Sequence, residues 1–332
     1  MSARLVITID TEPDNQWAMP TPGTSPPDLA FANTRGLSRL VDFLRGLGTP
    51  ATWLTCYSVA RDPGSARLLS AARDGGDEVG AHLHAWETPP SAAADSRAHP
   101  YIYEYDPAVR LEKLRSVTRA IEDAFGQPPR TYRAGRWGID PRERENLAGL
   151  GYLIDTSVVP GHDFGRSRGL ARGGPDFRRL LDGAPPRPYR DGPIWEVPVS
   201  VATPGLLGAI GLGALGARLV SGLTHRADIP SRAAARALRA AGLCRMVWLR
   251  PRMHPRDDLV RAARWLMDRG AECINIMFHS SEAFEGTSPR SRTAGDVEAF
   301  YGDLAAMVAA LRSAGEITPC RLSDLADRMD RP

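Results

Sequence analysis

The sequence predicts an α/β protein built on a parallel sheet, open or closed into a barrel. Short β-branched or apolar runs alternate with amphipathic helical stretches along most of the 332 residues. That is the signature of repeated β-then-α units. The composition, 42% hydrophobic and 24% charged, is that of an ordinary globular protein and excludes disorder, collagen-like repeats and long coiled coils. Four strand candidates end in ionisable residues, and parallel sheets carry their chemistry at the C-terminal ends of strands.

In chain order, Leu5–Ile9 is a β-branched strand, and Thr34 opens an amphipathic helix running to about Leu47, stopped by Gly48 and Pro50. Ala51–Tyr57 is the next strand, followed by a helix near Ser65–Arg73 and a third strand over Asp77–His84. A long helix spans Pro107–Phe125, then a strand Arg130–Ala134, a helix Arg142–Leu150 and a short strand Tyr152–Ile154. Ile194–Val201 continues the series, and Arg256–Arg269, Glu272–Phe278 and Ala294–Ser313 complete it as helix, strand and helix. Two stretches break the rhythm. Gly161–Arg190, rich in Gly, Pro and Arg, reads as a surface excursion, and Pro204–Leu223 is apolar and glycine-laden. With Arg218 inside it, the second is a poor membrane-spanning helix. It reads as a helical insertion packed on the sheet, or as a lid or interfacial segment that meets a lipid chain.

The formal net charge is +3, and all but one of the 42 basic residues, Lys113, are arginine. Their scatter argues against a nucleic-acid-binding stripe. Cys56, Cys244, Cys273 and Cys320 are far apart with no CxxC pair, so neither a disulfide framework nor a zinc knuckle is expected. The run Leu5–Ile9 is too short for a signal-peptide core, and the simplest address is cytoplasmic. No GxGxxG follows the first strand, which excludes a dinucleotide site there.

Function is carried by placement. The first strand ends in Asp10-Thr-Glu12-Pro-Asp14 and the third in His82-Leu-His84-Ala-Trp86. The fourth ends in Arg133-Ala-Gly-Arg136-Trp137, and the last in His279-Ser-Ser-Glu282. Two histidines at i and i+2 on a strand share a face, and neutral imidazoles suit zinc and similar ions. Each element alone has a bland alternative. An aspartate after a strand is more often a helix cap, and a single histidine or tryptophan is more often structural. Together they crowd ionisable groups at one end of a sheet, which is costly unless they share a metal or a substrate.

The order and wording of these segments resemble the NodB-homology polysaccharide deacetylases, carbohydrate esterase family four, in its divergent branch associated with glycan assembly. Thr8-Ile-Asp-Thr-Glu12 resembles the family's first motif, and Glu78-Val-Gly-Ala-His-Leu-His84 the second. Tyr132-Arg-Ala-Gly-Arg-Trp-Gly138 resembles the third, Ile194-Trp-Glu-Val-Pro198 the fourth, and Ile274-Asn-Ile-Met-Phe-His-Ser-Ser-Glu282 the fifth. The likeness spans about Leu5 to Ser281. Two positions depart: the second aspartate of the first motif falls on Thr11, and the second metal histidine on Trp86.

The resemblance implies a distorted (β/α) barrel as one domain over residues 1–332, with insertions at about 161–190 and 204–250. It implies metal-dependent removal of an N-acetyl group from an amino sugar in a glycan, glycolipid or glycosylated metabolite. Glu12, His82 and His84 would hold a divalent ion, Zn²⁺ first, although Asp10 and Asp14 also compete as carboxylate ligands. Asp10 would act as base, oriented by Arg133, and His279 as acid. Trp86, Arg136, Trp137 and Glu282 are candidates for substrate contact. Asp155 would orient His279 or Arg133, or merely begin a loop. The partner is an amino-sugar small molecule or lipid-linked glycan, with peripheral membrane contact through 204–223 and no nucleic acid. The alternatives are a metal-independent cyclic-amide hydrolase and a catalytically inactive glycan-binding barrel.

Overall fold

The computed structural model describes residues 2–14, 16, 29–90, 99–165, 173–209 and 245–329, with scattered positions between 212 and 243. The strands are β1 (Ala3–Thr11), β2 (Ala51–Thr55), β3 (Glu78–Leu83), β4 (Thr131–Ala134), β5 (Ile154–Asp155) and β6 (Tyr189–Asp191). They continue as β7 (Ile194–Glu196), β8 (Val201–Ala202), β9 (Val247–Trp248), β10 (Cys273–His279) and β11 (Ile317–Pro319). One sheet runs β10-β1-β2-β3-β4-β5-β7-β6, with β11 added beside β1. Every pairing in it is parallel except the β6–β7 hairpin.

A few hydrogen bonds, in place of a full strand, bridge the seam between β7 and β10. Val199 N–H donates to Val158 O (3.1 Å) and Ser200 N–H to Asn275 O on β10 (3.0 Å). The antiparallel β8–β9 ladder sits beside this bridge, and Leu249 N–H donates to Ser200 O at 2.9 Å. The result is a curled sheet closed irregularly into a distorted (β/α) barrel.

Strand periodicity sorts the side chains. On β1, Leu5, Ile7 and Ile9 join the core under the helices, while Thr8 and Asp10 face the barrel interior with Arg133. That interior is polar, and Thr8, Asn275, Thr156 and Arg133 form a bonded chain within it. Thr8 donates to Asn275 (2.8 Å), Asn275 to Thr156 (2.9 Å), and Arg133 to Thr8 (2.7 Å).

The helices are α1 (Ala32–Arg35), α2 (Ser38–Gly46), α3 (Tyr57–Arg61), α4 (Pro63–Asp74) and α5 (Pro107–Phe125). After these come α6 (Pro141–Gly149), α7 (Leu206–Ala209), α8 (Arg256–Asp268), α9 (Ala294–Ala314) and α10 (Ser323–Met329). Their ends are set locally. Asp62 caps α4 by accepting from Ser65 N–H at 2.8 Å, with Pro63 in the first turn. Gly126, at φ 72°, ends α5.

The strand expected over Ile194–Val201 is two, β7 and β8, in different sheets, and three further differences bear on the helices and insertions. The helix expected from Thr34 to Leu47 is two helices, α1 and α2, broken around Gly36, and Thr34 lies inside α1. The ring of Phe284 packs there so closely that a Cβ at position 36 would fall 2.3 Å from it. The 161–190 excursion is partly pinned down: Phe177 and Leu181 are buried in the core, and Tyr189 and Arg190 belong to β6. Residues 166–172 of it lie outside the described residues. The 204–250 insertion is shorter than expected, because Val247–Trp248 forms β9 and Leu249 is a buried bridge residue. Of the 204–223 segment, much lies outside the described residues; Leu206, Leu212, Leu215 and Leu219 are 62%, 45%, 66% and 56% exposed. Among the described residues no helix is long and apolar enough to cross a membrane.

Candidate active site

At the C-terminal ends of β1, β3, β4 and β10 the chain brings together Asp10, Glu12, His82, His84, Arg133 and His279, all buried. The register accounts for it: Asp10 lies opposite His279 across β1–β10, and His82 opposite Arg133 across β3–β4. Period two settles which residue after Asp10 turns inward. Thr11 bonds its own strand, its hydroxyl on Ile9 O at 3.1 Å, and Glu12 faces the site. Asp14 is elsewhere. Its carboxylate accepts the N–H groups of Ala32 and Asn33 (2.8 and 2.9 Å) at the start of α1.

Three donor atoms converge. Glu12 Oε1 lies 2.7 Å from His84 Nε2 and 3.0 Å from His82 Nε2, and the two Nε2 atoms are 3.1 Å apart. His82 Nδ1 is 3.0 Å from Arg133 O. A backbone carbonyl can only accept, so Nδ1 carries the proton and Nε2 presents its lone pair. His84 packs against Gly135, where a Cβ would come within 2.5 Å of Nδ1. Burial raises the Glu12 carboxyl, but His279, His84 and His82 outweigh it and hold it well below the usual carboxylate value. Two imidazole nitrogens and one anionic oxygen facing a common point within hydrogen-bond distance are a donor set that fits one divalent ion.

Asp10 and His279 flank this point. Burial pushes the Asp10 carboxyl up, and Arg133, His82 and His279 pull it below its ordinary value of 3.8. Arg133, 0% exposed, donates from Nη1 to Asp10 Oδ1 at 2.5 Å and from Nε to Thr156 O at 2.9 Å. Asp10 Oδ2 faces His279 Nε2 at 3.7 Å and His82 Nε2 at 4.0 Å. On its other side His279 meets Arg250, whose Nη2 donates to Nδ1 at 2.8 Å. A guanidinium cannot accept, so this bond leaves the ring proton on Nε2, pointing at Asp10 and Glu12.

A cavity of about 240 Å³ opens over these groups, walled by Trp86, Tyr101, Arg136, Trp137, Phe164 and Arg250. Trp86 tilts over His84 at 4.3 Å. Trp137 packs against Trp248 (5.3 Å) and over the Arg133 guanidinium (5.1 Å). Arg136 and Trp137 adopt φ 55° and 64°, a conformation that costs such residues about 1 kcal/mol or more and clusters at working sites. A larger hollow of about 970 Å³ lies at the other end of the sheet, around Arg4, Trp195 and Arg328. The candidate ligand clusters found among the described residues lie elsewhere, in the first cavity.

Two sequence expectations need correction. Glu282 does not line the cavity. It is 0% exposed and accepts from Arg250 Nη2 (3.0 Å) and from the His279 backbone N–H (3.0 Å). Burial raises its carboxyl, but Arg250 and His279 hold it down at about 2. It is an anchor beneath His279. Asp155 orients neither His279 nor Arg133 by a direct bond: it pairs with Ser157 and with Glu196, whose carboxyl burial and Asp155 push well up. The sequence reading missed Arg250, Cys56, Tyr101 and Phe164. Arg250 and Phe164 fell in stretches read as insertions, and Cys56, just after β2, was weighed only for a disulfide framework or a zinc knuckle.

No family model and no curated protein sequence matches the chain. Solved structures do. A protein from Mycobacterium smegmatis assigned as a polysaccharide deacetylase superposes over 98% of this chain and 90% of its own, with a TM-score of 0.51 and 16% identity. The carbohydrate esterase domain of a xylanase from the hindgut metagenome of Trinervitermes trinervoides covers 100% and 93%, at TM-score 0.46 and 10% identity. A family 4 carbohydrate esterase from Streptomyces lividans, in complex with acetate, matches 46% of this chain and 62% of its own, at TM-score 0.32 and 20% identity. The likeness is one of architecture, and the barrel described above is the polysaccharide deacetylase fold.

Proposed function

We propose that this protein is a metal-dependent amidohydrolase that removes the N-acetyl group from an amino sugar. The observation that carries the proposal is the juxtaposition of Asp10 and His279, 3.7 Å apart, beside the converging Glu12, His82 and His84 donors. Glu12, His82 and His84 hold the ion, Zn²⁺ by donor type. When bound, it supplies Lewis acidity toward the acetyl oxygen. Asp10, kept ionised by Arg133 on Oδ1, takes the proton of the attacking water onto its other carboxylate oxygen, Oδ2. His279 turns Nε2–H toward the departing nitrogen. Glu282 Oε2, 3.6 Å from Nδ1, places a negative charge behind the ring. Trp86, half-buried, offers a flat face to a sugar ring, Trp137 and Tyr101 back the cavity wall, and Arg136 offers a charge for a carboxylate or phosphate on the substrate.

The test is acetate release from a panel of N-acetylated sugars, free and carrier-linked. Asp10→Asn and His279→Asn should each lower kcat by about 10²–10⁴-fold while metal content stays unchanged. Activity within about threefold of the parent in both variants would end the assignment. The exposed leucines at 206, 212, 215 and 219 support a lipid-linked substrate and peripheral contact with a membrane through 204–223. Removing that segment should then impair lipid-linked substrates and spare water-soluble ones; equal loss for both would count against it.

A further inference from the structure

The three converging donors have a neighbour without a role in the reading above. Cys56 directly follows β2, which pairs with β1 as far as Thr11↔Thr55, and its own N–H donates to Thr11 O at 3.1 Å. The strand pairing therefore delivers it to the same end of the sheet as Glu12. Its Sγ, a Glu12 carboxylate oxygen and one ring nitrogen from each of His82 and His84 all lie within 4.8 Å of one another, and all four residues are buried. Ligand atoms of a tetrahedral zinc site, at roughly 2.0–2.3 Å from the ion, stand roughly 3.3–3.8 Å apart. The Glu12, His82 and His84 atoms, 2.7–3.1 Å apart, reach that spacing by opening a few tenths of an ångström around the ion, with Cys56 Sγ within 4.8 Å of each of them.

Charge points the same way. Asp10 is matched by Arg133 and Glu282 by Arg250, which leaves Glu12 as one anion against a buried divalent ion. A second anionic ligand neutralises the site, and a buried charge must be compensated. We propose that Cys56 is the fourth protein ligand of the ion held by Glu12, His82 and His84, and that its sulfur selects zinc over harder divalent ions. The inference rests on the metal-site reading above. On coordination the S–H bond breaks, the sulfur bonds the ion, and the proton leaves to water; nothing is oxidised. A soft thiolate favours Zn²⁺ and Co²⁺ over Mg²⁺ and Mn²⁺. Water and substrate would approach from the remaining side, between Asp10 and His279.

Cobalt reports sulfur ligation directly. Metal-free protein is titrated with Co²⁺ and followed by absorption, using the parent chain, Cys56→Ser and a Cys320→Ser control. The parent and the control should develop a near-ultraviolet sulfur-to-cobalt charge-transfer band that saturates at one ion per chain. Cys56→Ser should bind cobalt, seen in its visible bands, without the charge-transfer band. Its zinc affinity should fall by at least the roughly 10–100-fold that loss of an outer partner costs. Visible bands without the sulfur band in the parent would overturn the proposal and leave the metal site standing, with Cys56 only a hydrogen-bond donor to Glu87. No cobalt or zinc binding by the parent would overturn both. Should Cys56→Ser fail to fold, zinc K-edge absorption of the parent decides. A sulfur at about 2.3 Å supports the ligand, and a shell of nitrogen and oxygen alone rejects it.

Discussion

Arg133→Met isolates the interaction on which the site depends. The guanidinium is 0% exposed and supplies hydrogen bonds to Asp10, Thr8 and both oxygens of Thr156. Methionine fills much of its volume and leaves Asp10 as a stranded buried carboxylate. Removing one partner of such a pair costs about 3–5 kcal/mol, with roughly 1 kcal/mol more for each acceptor left dry. Against a total stability of about 5–15 kcal/mol, the variant should unfold at much lower urea. The sign with pH is also determined. In the parent, Asp10 is held below its ordinary 3.8, so its contribution is present above that value and is lost as pH falls through the folded-state pKa. In Arg133→Met, burial dominates and lifts Asp10 above its ordinary value, so the variant gains stability relative to the parent on acidification. Urea unfolding at pH 7 and pH 4, with chelator present, measures both effects. In an Asp10→Asn background the cost of Arg133→Met should shrink by about 2–3 kcal/mol. A loss below about 1 kcal/mol at pH 7, or an equal loss in the two backgrounds, would refute the argument.

Arg250 donates to His279 Nδ1, so Arg250→Met should lower kcat by about tenfold to a hundredfold and displace the pH–rate profile. Metal content and KM should hold, and Arg250→Lys should recover part of the loss; a KM effect alone would make Arg250 a binding residue. Glu87 is pushed up to about 7 by burial, so the folded protein retains a proton that the unfolded chain releases near pH 4.5. Stability of the metal-free protein should therefore fall as pH rises from 4.5 to 7, by up to about 3 kcal/mol. Glu87→Gln should flatten that slope, and an unchanged slope would assign it to another group.

Much of the site was legible because a parallel strand of period two delivers residues to one end in a readable order. Asp10 and His279 each follow an apolar run of several residues, His82 follows the shorter Val79-Gly-Ala81, and these runs announce the strands. The same period turns Glu12 inward and Thr11 away, whereas the sequence alone leaves the metal carboxylate open among Asp10, Glu12 and Asp14. Arg250 was not legible, since β9 has two residues, too few to show a period, and the next residue, Leu249, is held by Ser200 and Met277. Glu282 was misassigned because a 3₁₀ turn, Ser280–Ala283, follows β10. The turn folds the carboxylate under His279, where strand alternation no longer applies. The break between α1 and α2 depends on Phe284, far away in sequence. Such long-range packing leaves no local trace.

Metal content of the purified protein, measured on the sample that is assayed for acetate release from N-acetylated sugars, tests the central claim most directly. The account predicts about one divalent ion per chain, acetate release that a chelator abolishes and zinc restores, and loss of the ion in His82→Ala or His84→Ala. Acetate release that persists without metal, or a zinc-supplemented protein with neither ion nor activity, would contradict it.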